Sequence, residues 1–260
     1  MLYVSEVSSG TTIEYGAMMS TDTEVIPPPE SSELRTHSLL RNGDRMTQTE
    51  FLRRYHAMPD VSHAELIEGR VYMSSSSSVS ADRHGEPHFD LITWLGTYRA
   101  MTPGVVGGDN STLQLDFDNA PQPDGYLRLT EQAGGQSRLV NGYIQGAPEF
   151  IVEVAASTVS YDLHDKLNAY RRNGVKEYVV WRTEDSSIDW FILVDGRFDR
   201  HQVSDDGIYR SLVFPGLWLD PAAVLNGNMA RVLQVLQMGV SDTSHQQFLV
   251  RLAGGRNLTE

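Results

Sequence analysis

Residues 147–154, with the sequence Ala-Pro-Glu-Phe-Ile-Val-Glu-Val, decide the fold of this chain. The apolar run from Phe150 to Val154 is nearly continuous, which is typical of a central strand covered on both faces of its sheet. Glu153 interrupts this run. Because burying an unpaired charge is costly, the carboxylate of Glu153 indicates a site that uses it.

The segments on either side of this strand carry two further charged residues. Upstream, Gln122-Pro123-Asp124 opens a second strand that continues through 126–129. Downstream, residues 162–173 predict a helix that ends before Gly174, with Lys166 beside its apolar stripe. The stripe consists of Leu163, Leu167 and Tyr170. We expect the two strands to be neighbours and the helix to pack against their sheet.

The basic residues of the chain are strongly biased towards arginine. Only two of the 21 are lysines, Lys166 and Lys176. An ammonium group differs from a guanidinium in shape and in proton chemistry, so a lysine in such a chain is less often a neutral surface choice. Both lysines lie within residues 121–178, the central stretch that contains the two strands and the helix.

Length and composition indicate one main domain with extensions. The chain has 260 residues, 40% of them hydrophobic, and no cysteine, which excludes disulfides and thiolate metal sites. No apolar run reaches the ~18 to 20 residues of a membrane span, and the N-terminus lacks the charge and apolar order of a signal peptide. We therefore predict a soluble, cytoplasmic protein.

The charge balance restricts the binding partners. The formal net charge is -13. This argues against a general nucleic-acid binder, because phosphate contacts are normally made by a surplus of Lys and Arg. Any affinity for DNA must therefore come from a local basic patch.

Three segments follow one another along the chain. Residues 1–43 are rich in Ser, Thr, Glu and Pro and predict a disordered or loosely attached acidic arm. Residues 44–225 contain the strand and helix signals and predict the main domain, and residues 226–260 predict a C-terminal helical extension. Within the main domain, residues 64–73 have the pattern of a β-hairpin around Glu68-Gly69.

Three local patterns complete the prediction of secondary structure. Thr47 and Glu50 have the spacing of a capping box, which starts a short helix. Residues 112–117 alternate apolar and polar side chains, which predicts a strand. Pro221 fits the first turn of a helix that continues to about Met238.

The charged residues of the central stretch favour metal-assisted hydrolysis. Two carboxylates on neighbouring strands, pointing to the same side, suit a hard divalent cation such as Mg²⁺, which leaves positions open for a phosphate oxygen. A nearby lysine could orient or deprotonate the attacking water, or neutralise charge that develops on the phosphorus centre. Asp124, Glu153 and Lys166 together therefore predict phosphodiester hydrolysis.

The order and spacing of several short segments carry a family resemblance. They are Gln122-Pro123-Asp124, 147–154, 162–166 with Tyr170, Gly174-Val175, Glu177-Tyr178, and, outside the central stretch, 65–69, His84 and Phe214-Pro215-Gly216-Leu217. This arrangement resembles the Uma-type family of restriction endonucleases, within the PD-(D/E)XK nuclease superfamily. The resemblance covers roughly residues 46–225.

The resemblance implies an α/β (α+β) fold, with a restriction-endonuclease-like mixed β-sheet flanked by helices and an extra N-terminal hairpin. It implies that Asp124 and Glu153 bind Mg²⁺ or Mn²⁺, and we expect the backbone carbonyl of Val154 as a third ligand. Lys166 is then the basic partner in catalysis.

The same resemblance adds Glu65 and His84 to the catalytic residues. It implies an endonuclease that hydrolyses DNA. We predict a homodimer, because cutting both strands requires two sites related by a two-fold axis.

One position departs from the superfamily pattern. The lysine of the (D/E)XK motif would fall at position 155, where this chain has Ala155. The family resemblance suggests that the lysine has moved to the helix at Lys166, whose long side chain could reach back over its apolar stripe.

Simpler interpretations of the same residues remain open at this point. Lys166 could merely pair with Asp162 at i, i+4 on a solvated helix face. We expect it instead to act in the chemical step, so its loss should slow catalysis strongly and, because an exposed pair contributes little, barely change stability. Glu65 and Glu68 could be polar-face residues of a hairpin, and His84 could be a loop histidine.

Two other functions compete with a DNA endonuclease. The acidic balance and Ala155 make a non-catalytic member of the fold, acting as a binding or assembly module, a credible alternative. A hydrolase of small phosphoesters would be compatible with the negative net charge of the chain, but the sequence has no phosphate-cradling glycine loop.

Overall fold

A six-stranded mixed sheet lies at the centre of the computed structural model, which describes residues 39–73, 80–156 and 161–255. The arm predicted for residues 1–43 lies almost wholly outside the described residues. The strands are β1 (Ala64–Ile67), β2 (Arg70–Met73), β3 (Val105–Gly108), β4 (Leu113–Gln114), β5 (Gly125–Leu129), β6 (Arg138–Val140), β7 (Tyr143–Gln145), β8 (Phe150–Ala155), β9 (Glu177–Arg182), β10 (Ser187–Val194), β11 (Arg197–Arg200), β12 (Tyr209–Arg210) and β13 (Trp218–Leu219).

The helices flank these strands. They are α1 (Gln48–His56), α2 (Glu86–Met101), α3 (Leu167–Arg172), α4 (Pro221–Leu225), α5 (Met229–Val240) and α6 (Thr243–Gly255). Two π-helical turns, Ala81–Gly85 and Asp162–Lys166, lead directly into α2 and α3, and a 3-10 turn covers Glu131–Ala133.

The strand that contains Glu153 is central, as its sequence predicts. The order in the sheet is β11-β10-β9-β8-β5-β3, with β8 and β9 parallel and the other neighbouring pairs antiparallel. All six residues of β8 are buried. The predicted mixed sheet flanked by helices, and the predicted adjacency of β5 and β8, are confirmed.

The register of β5 and β8 brings the two predicted metal ligands together. Gly125 lies opposite Val152. Continuing this antiparallel register places Asp124 opposite Glu153, and directly opposed residues carry their side chains on the same face of a sheet. The two carboxylates therefore lie on one side.

The two faces of β8 contact different layers. Val152 and Val154 face a core that includes Trp94 of α2 and Leu236 of α5. Because side chains alternate along a strand, Glu153 faces the opposite side, where Ala155 packs in a second core with residues such as Tyr170 and Tyr178. The predicted packing of the helix stripe against the sheet is confirmed, since Leu163 and Leu167 pack against this second core.

The predicted hairpin is also present. Strands β1 and β2 pair antiparallel around Glu68 and Gly69, whose φ values of 52° and 70° fit a tight turn of the kind that twists with its strands. Thr47 caps α1 by accepting a hydrogen bond from the Glu50 backbone. The Glu50 side chain pairs with Arg53 and Arg54.

Two local predictions were wrong in extent. Within 112–117 only Leu113–Gln114 forms a strand, because the chain turns back where the backbone N–H of Leu115 bonds to the carbonyl of Asn119. The helix predicted from Pro221 to Met238 is two helices. Gly227 has a φ of 67°, which ends α4, and the Asn228 side chain caps α5.

The segment Phe214-Pro215-Gly216-Leu217 has a structural role. Phe214 and Leu217 are fully buried, and the Tyr98 hydroxyl donates to the carbonyl of Pro215. At Gly216 the φ is 90°, and a Cβ would lie 2.9 Å from the carbonyl oxygen of Gly239. Only glycine fits this close approach between the loop and α5.

Among the helices of the described residues, none combines the length and apolar character that a membrane crossing needs.

Candidate active site

The two strand carboxylates are linked through the backbone of the opposite strand. Asp124 Oδ2 accepts a 2.7 Å hydrogen bond from the backbone N–H of Val154. In return, Glu153 Oε2 lies 3.4 Å from the backbone nitrogen of Asp124. This reciprocal contact fixes both carboxylates at the end of β5 where the chain enters the sheet. Glu153 is almost fully buried, and the Asp124 side chain keeps 13% of its exposure.

Lys166 reaches the same place from the helix layer. Its Nζ lies 3.0 Å from Glu153 Oε1, 3.1 Å from Glu65 Oε1 and 3.7 Å from Asp162 Oδ1. The side chain is only 6% exposed. The interpretation of Lys166 as a residue of a solvated helix face was therefore wrong, because the π-helical turn Asp162–Lys166 directs it into the protein.

Glu65 belongs to this cluster as well. It is 4% exposed, and its Oε1 accepts a 2.7 Å hydrogen bond from the backbone N–H of Gln122. The interpretation of Glu65 as a polar-face hairpin residue was wrong. Glu68 differs, since it lies at the hairpin turn and pairs with Arg172 at 2.6 Å.

His84 lies at the solvent side of the site. Its Nε2 is 3.4 Å from Asp124 Oδ1, and the side chain is 35% exposed. The prediction of a loop histidine was wrong, because His84 sits in the π-helical turn that extends α2. One turn later, His88 bonds through Nε2 to the carbonyl oxygen of Asp124.

Three further residues complete the site and were not predicted. The Tyr170 hydroxyl donates to Glu153 Oε1 at 2.9 Å, so it shares this oxygen with Lys166. The ring of Tyr161 lies 5.3 Å from Lys166 Nζ, and its hydroxyl lies 3.4 Å from Glu65 Oε2. His63 is 3.8 Å from the same Glu65 oxygen.

The sequence held one signal for these residues. Tyr170 follows Lys166 by four positions, which places the two side chains on neighbouring parts of one helix face. The apolar stripe predicted from the sequence includes Tyr170, and its ring does pack there. Its hydroxyl extends beyond the stripe to the carboxylate, as a buried tyrosine usually finds a polar partner.

The charges in the cluster do not balance. Burial raises the pKa of the Glu153 carboxyl well above its usual range; Lys166 counteracts this, whereas Asp124, Asp162 and Glu65 raise it further. Three carboxyl groups, those of Glu65, Glu153 and Asp162, lie within 3.7 Å of the single ammonium group, and Asp124 lies on the other side of Glu153. This negative excess is a feature that a bound cation would relieve.

The pKa values of Lys166 and Glu65 shift in opposite directions. Burial alone would lower the pKa of Lys166, but Glu153 and Glu65 outweigh it and raise the pKa well above its usual value. Burial would raise the pKa of Glu65, but Lys166, followed by His63 and the Gln122 backbone, lowers it to about 2. Glu65 is therefore the permanent anionic partner of the ammonium group.

Two oxygens are suited to hold a divalent cation. The contacts of Asp124 Oδ1 and Glu153 Oε2 are no shorter than 3.4 Å, so both oxygens keep lone pairs for a ligand. Hard carboxylate oxygens suit Mg²⁺, which keeps several waters. Within the part of the chain that the structure describes, no three His, Cys, Asp or Glu side chains form a ready metal-binding group.

Ala155 lies where the superfamily pattern expects a lysine. It is fully buried on the Glu153 face and packs in the core that contains Tyr170 and Tyr178. A lysine at this position would have to displace those rings. The ammonium group instead comes from Lys166, 3.0 Å from Glu153.

The family model described as "Putative restriction endonuclease", Uma2, matches residues 49–222 of this chain. The chain belongs to this family. The resemblance inferred from the sequence motifs is thereby confirmed, and the match covers both strand carboxylates, Glu65, His84 and Lys166.

Structural similarity was also found at low sequence identity. A solved structure described as a "putative nuclease belonging to DUF820" from Anabaena variabilis is 10% identical, with a TM-score of 0.49. The alignment covers 74% of this chain and 99% of that chain. No curated protein matches the chain.

Proposed function

We propose that this member of the Uma2 family is an Mg²⁺-dependent endonuclease that hydrolyses phosphodiester bonds of DNA. The observation that supports this most strongly is the meeting of Asp124, Glu153 and Lys166 on one face of the sheet. Two opposed carboxylates with a buried ammonium group combine a cation site with a source of positive charge for a phosphate.

Asp124 and Glu153 are the residues that would hold the cation, through the oxygens that face away from Val154 and Lys166. The backbone carbonyl of Val154 is proposed as a third ligand. The cation, which Mn²⁺ could replace, would supply Lewis-acid stabilisation of charge that develops on the phosphate. The protein contributes the fixed positions of the two carboxylates.

Lys166 acts in this proposal as a charged hydrogen-bond donor. Two carboxylates within 3.1 Å of Nζ favour the ammonium form, which cannot take up a proton from water. Its fixed positive charge orients the attacking water and stabilises the phosphorane. Glu65 and Tyr170 position the lysine and Glu153, and do not themselves contact the reacting atoms.

His84 is proposed to contact the phosphate that enters the site. Its side chain is more exposed than those of Asp124, Glu153 and Lys166, and it lies next to Asp124. A histidine there can donate a hydrogen bond to a phosphate oxygen. We further propose that the enzyme works as a homodimer, because double-strand cleavage needs two sites related by a two-fold axis.

Plasmid cleavage tests this function. Supercoiled plasmid incubated with the protein and Mg²⁺ is expected to become nicked and then linear, and EDTA should stop the reaction. The Glu153→Gln variant, which keeps the shape of the side chain, serves as the inactive control. If the wild-type protein leaves plasmid intact in both Mg²⁺ and Mn²⁺, the endonuclease proposal is wrong, and a binding module becomes the better account.

A further inference from the structure

An arginine pair lies next to the candidate active site, with Arg70 on β2 of the hairpin and Arg45 in the segment before α1. Arg45 and Arg70 face each other across an antiparallel bridge, and both are exposed. Like charges placed directly opposite each other destabilise a sheet. Among the described residues, neither guanidinium forms an ion pair with a carboxylate, whereas Arg172 nearby pairs with Glu68 at 2.6 Å.

This pair is connected to the site by aromatic side chains. Arg70 and Tyr72 are two residues apart on β2, so they share one face of the hairpin. Tyr72 packs against Tyr161 with ring centroids 4.3 Å apart, and Tyr161 in turn covers Lys166. A continuous surface therefore runs from the two arginines to the ammonium group.

Two carboxylates near this surface already accept hydrogen bonds. Asp165 accepts a 3.0 Å hydrogen bond from the Tyr72 hydroxyl, and Asp44 accepts one from the backbone of Arg41. Burial, followed by the bond to Asp165, raises the pKa of Tyr72, and the adjacent Arg70 opposes this shift. The guanidinium of Arg70 thus lies beside the phenol and not on a carboxylate.

We propose that Arg45 and Arg70 bind backbone phosphates of the DNA strand that enters the active site. The inference rests on the proposed nuclease function and names its substrate-binding surface. Two arginines held side by side, with no ion pair to a carboxylate among the described residues, are complementary to successive phosphates. They give a chain of net charge -13 a local positive surface where the reaction needs one.

Measuring the affinity for DNA at several salt concentrations tests this proposal without requiring cleavage. We compare the wild-type protein with Arg45→Gln/Arg70→Gln, using a fluorescent DNA duplex in EDTA and measuring anisotropy over a range of NaCl concentrations. Each lost phosphate contact removes about 0.9 from the slope of log K against log salt, so the slope should fall by about 2. At low salt the affinity should fall about tenfold or more.

A matched control removes the same number of charges elsewhere. Arg197→Gln/Arg251→Gln alters exposed arginines on β11 and α6, and it should keep the wild-type affinity and slope. The Arg45/Arg70 variant should unfold at the same or a slightly higher urea concentration, because the repulsion between the pair is gone. Weaker binding with retained stability supports a binding role.

Three results would overturn the proposal. The first is binding of the Arg45/Arg70 variant with the wild-type slope, and the second is an equal loss of affinity in the control, which would show a general charge effect. If the wild type still cleaves plasmid in either case, the proposed function stands and only the binding surface is wrong. A wild type that neither binds duplex nor cleaves plasmid would overturn both.

Discussion

The Asp124→Asn variant is expected to lose about a hundredfold to a thousandfold in the rate of plasmid cleavage, with its fold intact. The asparagine oxygen can still accept the hydrogen bond from Val154, so the connection between β5 and β8 is kept. The negative charge that would bind the cation is removed. Losses of this size are typical when a preorganised group that stabilises the transition state is deleted.

The measurement is a single-turnover cleavage rate combined with calorimetric titration of Mn²⁺. Asp199→Asn is the matched control, since Asp199 is an exposed aspartate on β11, and it should keep the wild-type rate. A wild-type cleavage rate together with unchanged Mn²⁺ affinity in Asp124→Asn would show that this carboxylate is only a backbone acceptor.

The Lys166→Met variant is expected to lose both activity and stability. Loss of the fixed positive charge should slow cleavage by about a hundredfold or more. Because Lys166 is buried between Glu65 and Glu153, its removal leaves two uncompensated carboxylates inside the protein, which costs roughly 3 to 5 kcal/mol. The expectation from sequence, that stability would barely change, assumed an exposed pair, whereas Lys166 is buried.

In Lys166→Met, the pH dependence of the free energy of unfolding distinguishes uncompensated buried carboxylates from simple loss of packing. In the wild type the pKa of Glu65 is depressed, so its contribution is present above the unfolded value of 4.5 and is lost as the pH falls from there towards 2. Without Lys166, burial and repulsion raise the pKa of Glu65 and raise that of Glu153 still further. The folded variant then binds more protons than the unfolded chain, and its stability should rise as the pH is lowered from 8 to 5.

Urea unfolding at several pH values measures both effects. Lys176→Met is the matched control, because Lys176 is the other lysine of the chain and is exposed, and it should unfold like the wild type. Adding Glu65→Gln to Lys166→Met should restore part of the lost stability, since it removes one buried charge. A Lys166→Met protein with wild-type stability at pH 7 would contradict the buried cluster.

Sequence patterns predicted the elements whose signals are local. The apolar run of β8, the Glu68-Gly69 turn and the stripe of the Lys166 helix each depend on residues within a few positions of one another. The adjacency of β5 and β8 was also predicted, because Glu153 on β8 and Asp124, directly before β5, are both carboxylates in apolar settings. These signals were enough to place Asp124 and Glu153 on one face.

The features of the site that the sequence did not predict depend on contacts between distant parts of the chain. The burial of Glu65 results from its contact with Gln122, 57 residues away, and from Lys166 beyond it. Neither hairpin periodicity nor composition contains that information. Likewise, the π-helical turn that directs Lys166 inward is a local change of winding that a helical stripe does not reveal.

The central claim, that Asp124 and Glu153 together hold a divalent cation beside Lys166, is tested most directly by a crystal structure of the protein soaked with Mn²⁺. Anomalous diffraction is predicted to show one Mn²⁺ peak in contact with carboxylate oxygens of both residues, and no such peak in Glu153→Gln crystals treated in the same way. Saturating Mn²⁺ that binds elsewhere, or that contacts neither carboxylate, would contradict the claim.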